Sequence, residues 1–124
     1  MDPRTHALLV VTLDLDPTVD DTEFNRWYFE DHIAGRLRCP GFLGASRFRI
    51  RQADATAMSL PSAARPPSYL AIYELEGPEA LETPEYVKLR QDSSEETKRM
   101  RDAMQHVRRN TYIRMQPGEY STDM

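Results

Sequence analysis

The most chemically distinctive stretch of the chain lies between Phe24 and His32 and contains the only tryptophan. In a helix, residues four apart lie one turn apart, so Phe24, Tyr28 and His32 would form one row with Trp27 beside it. Histidine titrates near neutral pH and acts as a general acid or base, and a neighbouring phenol can stabilise an oxyanion. This spacing predicts His32 and Tyr28 as a catalytic pair, with Phe24 and Trp27 binding the substrate.

The same pattern also fits an ordinary protein core. Aromatic residues at helical spacing are most often buried for packing alone. A histidine among them is more often a hydrogen-bonded core residue than a catalyst. The sequence therefore leaves both interpretations of His32 open.

Arginines at alternating positions of a predicted strand form a second group of candidates. Arg47, Arg49 and Arg51 share one side of this strand. A guanidinium can bind a carboxylate or an enolate with two parallel hydrogen bonds. A solvated strand edge is the competing interpretation, above all for Arg51, so Arg47 is the arginine that we expect in a pocket.

Three tyrosines on predicted strands are candidate ligand-binding residues, namely Tyr69, Tyr73 and Tyr112. Rings with polar tips suit a flat, oxygenated aromatic ligand, and they suit a subunit interface equally well. Asp14 and Glu74 lie near strand ends, where a carboxylate partner for the histidine could sit, although solvated carboxylates are commoner there.

Metal and nucleotide sites have little support in the sequence. His6 and His106 show no H-x-H or H-E-x-x-H spacing, and the single cysteine, Cys39, excludes a cysteine-rich zinc site. Glycine-rich nucleotide motifs and the serine-hydrolase motif do not occur in the sequence. We expect no metal and no cofactor, with haem left open because an axial histidine needs no motif.

Hydropathy patterns predict the elements that carry these residues in the first half of the chain. The segment His6–Leu15 is apolar on both alternating sides, which is typical of a strand buried on both faces. The Asp20-Asp21 pair can cap a helix that runs to about Leu37 and carries the aromatic segment. Further strands are predicted over Phe42–Arg51 and Tyr69–Leu75.

Helix start signals organise the second half. Thr83-Pro84 places a cap before a proline at the first helical position. Ser93 and Glu96 match a capping box, which predicts a further helical segment that carries Met104. Asn110–Met115 is the last predicted strand.

The resulting order, β-α-β-β-α-β, predicts an α+β, ferredoxin-like fold in a single domain of 124 residues. Its four-stranded antiparallel sheet would carry both helices on one face. Gln52–Ser68, rich in Ala, Ser and Pro, is predicted as a long loop, and residues 116–124 as a loose tail. Because the doubly apolar first strand leaves the other sheet face uncovered, we expect a homodimer.

Charge and hydropathy exclude several classes of partner. With 16 basic and 20 acidic residues the net charge is −4, which disfavours nucleic acid and anionic lipid as partners. The longest apolar run, Ala7–Leu13, is far shorter than the ~20 residues that span a bilayer, and it lacks a signal-peptide cleavage pattern. We expect a cytoplasmic protein without membrane contact.

Several motifs together resemble the EthD-like proteins of the dimeric α+β barrel superfamily. In chain order they are Phe24-Asn25-x-Trp27-Tyr28-x-x-x-His32, Pro40-Gly41-Phe42, Ala45-x-Arg47-Phe48 and Tyr69-Leu70-Ala71-x-Tyr73-Glu74. The resemblance implies a ferredoxin-like protomer, a homodimer whose sheets form a barrel-like assembly, and a pocket that the helix-borne histidine faces. Relatives in the superfamily include polyketide cyclases, muconolactone isomerases, small decarboxylases and monooxygenases that work without metal or flavin.

The expected function is that of a small cofactor-independent enzyme. His32 would move a proton next to a carbonyl of an aromatic or polyketide-like metabolite, and Tyr28 would stabilise the enolate. Cyclisation, isomerisation and decarboxylation all pass through such an enolate. The alternatives are a cofactor-free monooxygenase and a non-catalytic dimer that binds a small molecule.

Overall fold

Four strands form one antiparallel sheet in the computed structural model, which describes residues 1–51, 66–92 and 94–115. They are β1 (Ala7–Leu15), β2 (Phe42–Arg49), β3 (Tyr69–Leu75) and β4 (Met104–Ile113), and their spatial order is β2-β3-β1-β4. With the first two strands joined through a helical segment and the last two through helices, this is the predicted ferredoxin-like arrangement. The predicted fold class is confirmed.

A continuous helical segment connects β1 to β2. It consists of α1 (Asp21–Trp27), a π-helical turn (Tyr28–Ile33) and α2 (Ala34–Leu37). Asp20 begins it as predicted, because its side chain accepts a hydrogen bond from the Thr22 backbone N–H. The negative charges of Asp21 and Glu23 in its first turn interact favourably with the positive end of the helix dipole.

Three short elements connect β3 to β4: a 3₁₀ turn (Pro78–Glu82), α3 (Pro84–Arg90) and α4 (Glu95–Ala103). Thr83 caps α3 as predicted, through a hydrogen bond from the Tyr86 backbone N–H. The cap of α4 is Ser94, which accepts from the Thr97 N–H. The predicted cap, Ser93, lies outside the described residues.

The last strand is the clearest error of the sequence prediction. It begins at Met104, six positions before the predicted start, and Met104 belongs to β4 instead of the preceding helix. Pairing between strands sets this start, because β4 pairs with β1 as far as Leu15↔Met104. This pairing satisfies the backbone hydrogen-bonding groups of β1, which is an inner strand of the sheet. Of the predicted loop and tail, residues 52–65 and 116–124 lie outside the described part, and β2 ends at Arg49.

The core lies between one face of the sheet and the helices. Alternate residues of β1 are buried on this face, and the other alternate residues, among them Leu8 and Val10, are only partly buried. Phe24, Leu75 and Met100 are fully enclosed. Within the described residues, no helix is long and apolar enough to cross a bilayer.

Candidate active site

The π-helical turn contains both residues of the predicted catalytic pair. Such turns are rare and frequently occur at functional sites. Here the turn brings the Tyr28 and His32 rings together, with ring centroids 4.5 Å apart and planes tilted by 39°. The Trp27 ring packs against the same imidazole at 5.2 Å. The sequence prediction that phenol and imidazole are neighbours agrees with this geometry.

A cavity of about 250 Å³ lies between the rings of Tyr28 and His32, the helical face of the sheet, α3 and α4. Aliphatic side chains of β1 and β4 form part of its wall. The polar residues that line it in the described part of the chain are one histidine, three tyrosines and four arginines, namely His32, Tyr28, Tyr73, Tyr86, Arg36, Arg90, Arg101 and Arg109. Among the described residues no carboxylate lines it, so the cavity is strongly electropositive in a chain whose net charge is −4.

The imidazole of His32 is held in its neutral form. Burial lowers the pKa of His32 well below its usual 6.5, because a charged ring would lose its hydration. The positive charges of Arg36 and Arg101 lower the pKa further. At neutral pH the ring is therefore a proton acceptor that faces a cavity, as a general base requires.

Two phenols form a hydrogen-bonded pair beside this base. The Tyr73 hydroxyl donates to the Tyr28 oxygen over 3.1 Å. Burial raises the pKa of both tyrosines, so both remain protonated at neutral pH. Since Tyr28 accepts from Tyr73, its own hydrogen can be donated to an oxygen in the cavity, and this bond would stabilise a developing oxyanion.

Arg47 contacts the Tyr28 ring from outside the cavity. Its guanidinium carbon lies 4.1 Å from the centre of the Tyr28 ring, and its Nη2 donates to Asn25 Oδ1 over 3.0 Å. The cation over the ring favours the phenolate and offsets part of the effect of burial on the pKa of Tyr28. Arg47 does not line the histidine cavity; with Tyr69 it lines a separate surface pocket of about 290 Å³.

The remaining sequence candidates lie elsewhere. Phe24 and Trp27 are 0% and 2% exposed and belong to the core, where they pack against Tyr28 without lining the cavity. Tyr112 is on the opposite face of the sheet, paired with Leu8, and is 56% exposed. The chain thus brings His32, Tyr28 and Tyr73 together, and places these other three outside the cavity.

The carboxylate partners considered for the histidine are engaged elsewhere. Glu74 accepts from the Thr5 hydroxyl, and Asp14 contacts the Nδ1 atom of His106. Neither lines the cavity. In the described ranges, no group of three His, Cys, Asp or Glu side chains is arranged to hold a metal ion.

The sequence analysis missed several residues of the cavity. Arg36 follows His32 by four positions, so helical spacing alone could have identified it. Tyr86 and Arg109 come from α3 and β4, and the arginine donates a hydrogen bond from Nη2 to the Tyr86 hydroxyl. The spacing of these two residues in the sequence does not predict their contact, because α3 and β4 come together only in the folded chain.

Comparison with known proteins finds similarity in structure alone, since no family model and no curated protein matches the sequence. A monooxygenase from the ActVA-Orf6 gene of Streptomyces coelicolor, solved with nanaomycin D, is 16% identical with a TM-score of 0.61 over 97% of this chain and 96% of its own. SnoaB, a cofactor-independent oxygenase from Streptomyces nogalater, is 18% identical with a TM-score of 0.57 over 91% and 98%.

A third similar structure is an EthD family protein from Bacillus halodurans. It is 17% identical, with a TM-score of 0.55 over 88% of this chain and 99% of its own. At such identities the similarity establishes the fold and leaves the reaction to be argued from the site. The chain therefore has the ferredoxin-like fold that its resemblance to the EthD-like proteins implied.

Proposed function

We propose that this chain is a cofactor-independent oxygenase that removes a proton from an oxygenated aromatic substrate and allows the resulting anion to react with molecular oxygen. The observation that carries the proposal is the neutral imidazole of His32, beside a hydroxyl pair, in an electropositive cavity. A neutral base takes the proton, and a phenol together with nearby cations stabilises the anion that forms.

Each residue has a definite task in the proposed reaction. His32 accepts the proton of a phenol, or of a carbon next to a carbonyl, and Tyr28 donates a hydrogen bond to the oxyanion. The anion then gives one electron to oxygen, and the two radicals combine to a peroxide. His32 returns its proton to the peroxide, whose O–O bond then breaks as the same carbon loses its remaining hydrogen as a proton. That proton and the departing hydroxide form water, so one oxygen atom stays in the substrate as a new carbonyl and the other leaves as water.

The structural neighbours support oxygenation over the other reactions. Two of them are described as a cofactor-independent oxygenase and a monooxygenase, and both cover nearly the whole chain. The cyclisation, isomerisation and decarboxylation that the sequence analysis expected share the first step, formation of the anion. They differ in consuming no oxygen.

Oxygen uptake tests the proposal directly. Purified, chelator-treated protein is mixed with an anthrone or a dihydroxynaphthalene, and dissolved oxygen and product are followed together. We expect one oxygen molecule to be consumed for each new carbonyl, and no product under nitrogen. Product formation at an equal rate without oxygen would favour isomerisation or cyclisation, and binding without turnover would favour an accessory protein.

The pH profile offers a second test of the base. Because the pKa of His32 lies well below 6.5, the imidazole stays unprotonated as the pH falls through that value. We expect kcat/KM, which reports the free enzyme, to be flat from neutral pH down to 6.5 and to fall only below it. An acidic limb centred at or above 6.5 would contradict a neutral, desolvated base.

A homodimer belongs to the same proposal. The sheet face opposite the helices presents partly buried apolar residues of β1 and β3, and Phe48 beside them is 54% exposed. Apolar residues grouped on one sheet face indicate a protein interface, and a second copy of the chain is the partner that we propose.

Replacing Ile72 with aspartate tests this interface. Ile72 lies on the exposed sheet face, since it pairs with Val10 and Ser46. The buried charge would cost enough free energy to convert the dimer into a monomer, which sedimentation velocity detects. Val87→Asp, on the exposed side of α3, is the control and should leave the mass unchanged. A monomeric wild-type protein would refute the dimer.

A further inference from the structure

Arg36 is a buried cation without a carboxylate partner among the described residues. Its side chain lies in α2 and the residue is only 6% exposed. Throughout residues 1–51, 66–92 and 94–115, no carboxylate lies within ion-pair distance of its guanidinium. A buried charge normally has a partner, because its lost hydration is expensive.

The contacts that Arg36 does make leave most of its donors unused. Nη1 donates to the His32 backbone oxygen over 3.2 Å, and the guanidinium carbon lies 5.9 Å from the centre of the Tyr86 ring. In the described chain this is the one hydrogen bond of its guanidinium, which carries five N–H donors. The side chain also lines the histidine cavity, so its remaining donors can reach a ligand there.

The surroundings strengthen the positive potential around Arg36. Three further arginines line the same cavity, namely Arg90, Arg101 and Arg109. Arg101 donates to two backbone carbonyls, and Arg109 donates to a phenol. None of these three is in an ion pair with a carboxylate of the described residues. A cavity with this much unbalanced charge attracts and concentrates anions.

We infer that the substrate of this site is an aromatic carboxylic acid whose carboxylate binds Arg36. The inference rests on the proposed function for the reacting ring and adds the group that anchors it. A planar guanidinium matches a carboxylate through two parallel hydrogen bonds. Tyr28, Tyr73 and Tyr86 line the same cavity, so the aromatic part of the substrate would lie among aromatic side chains.

This anchor would also activate the base. The charge of Arg36 is the largest electrostatic contribution to the lowered pKa of His32 after burial. A bound carboxylate cancels that charge, so the pKa of His32 rises when the ligand binds. The imidazole would thus become a stronger base once the cavity is filled.

The test compares binding of 2-naphthoate with that of the neutral isostere 2-naphthamide, by calorimetry and Trp27 fluorescence. We expect the wild-type protein to bind the acid about tenfold or more tightly than the amide. Arg36→Gln should lose this preference and retain the binding of the amide. Arg38→Gln, at the exposed end of the same helix, is the matched control and should behave as wild type.

Each contrary result refutes the assignment. Equal affinities for acid and amide in the wild type, absence of binding by either, or an intact preference in Arg36→Gln would each overturn it. If Arg36→Gln does not fold, the histidine resonances of the wild type decide, because naphthoate must raise the pKa of His32 and naphthamide must not. Displacement of naphthoate by inorganic phosphate at equal concentration would indicate an unspecific anion site and would also overturn it.

The carboxylate anchor and the oxygenase activity can be refuted separately. A protein that prefers the acid and consumes no oxygen contradicts the oxygenase proposal and leaves Arg36 as the carboxylate anchor. A protein that oxidises neutral phenols and ignores the carboxylate contradicts the anchor and leaves the oxygenase intact.

Discussion

Replacing His32 with alanine should lower kcat by about 10²- to 10⁴-fold, the range over which a positioned general base accelerates a reaction. The imidazole is the base that the cavity offers, because burial lowers the pKa of His32 and keeps the ring neutral, whereas burial raises the pKa of Tyr28 and Tyr73 and keeps both phenols protonated. The loss should therefore appear in kcat, while ligand affinity changes little.

The experiment measures oxygen uptake and ligand binding on the same samples. Trp27 lies 5.2 Å from the imidazole, so its fluorescence reports ligand in the cavity of either protein. His106→Ala is the control, because that histidine is exposed on β4 and does not line the cavity. Unaltered turnover in His32→Ala would remove this residue from the mechanism, whatever the other results.

Adding free imidazole to His32→Ala distinguishes the loss of a base from the loss of a structural contact. The alanine variant leaves space where the ring was, and free imidazole can enter such a space and accept the proton. Partial recovery of turnover with imidazole, and none with a non-basic molecule of similar shape, would assign the loss to the missing base. A loss that imidazole does not restore, accompanied by a lower melting temperature, would indicate a structural role instead.

The sequence predicted the strands well where burial dictates the pattern. The starts and ends of β1 and β3 match the predictions within a residue, because alternate side chains of both strands face the core. β4 is almost wholly exposed, so its hydropathy carried little information and its first six residues were missed. Its course depends on pairing with β1, a contact between distant parts of the chain.

The site shows the same division between local and distant information. The contact between Tyr28 and His32 was predictable, because both lie on one helical segment and four residues set their separation. Arg36 is also only four residues from His32, but an arginine on a helix is ordinarily a surface residue, so its residue type did not suggest a place in a cavity. Tyr86 and Arg109 depend on how α3 and β4 pack, which spacing along the chain does not encode.

Phe24 illustrates why core and pocket residues look alike in a sequence. Helical spacing places it in the same row as Tyr28 and His32, and both a core and a pocket wall require an apolar ring in that row. The structure distinguishes them, since Phe24 is 0% exposed and does not line the cavity. It packs against Trp27, Tyr28 and Tyr69, with ring centroids 5.9, 5.7 and 6.3 Å away.

Phe24→Ala should therefore act on stability and not on substrate contact. Removing a fully buried phenylalanine from a packed core lowers the free energy of unfolding by about 3–5 kcal/mol, through lost burial and the cavity left behind. Urea titration followed by circular dichroism, at one fixed protein concentration, measures this loss. Phe29→Ala is the control on the same helical segment: this ring is 67% exposed, so its loss should change the free energy by no more than about 0.5 kcal/mol.

Ligand binding decides between the two roles of Phe24. Phe24 packs against Tyr28, and Tyr28 lines the cavity whereas Phe24 does not. The alanine variant should therefore still bind naphthoate under conditions where it is folded. A variant that keeps the wild-type free energy of unfolding and loses naphthoate would instead place this ring against the substrate. The free energy of unfolding and the affinity thus separate a residue that holds the helical segment of His32 in place from one that touches the ligand.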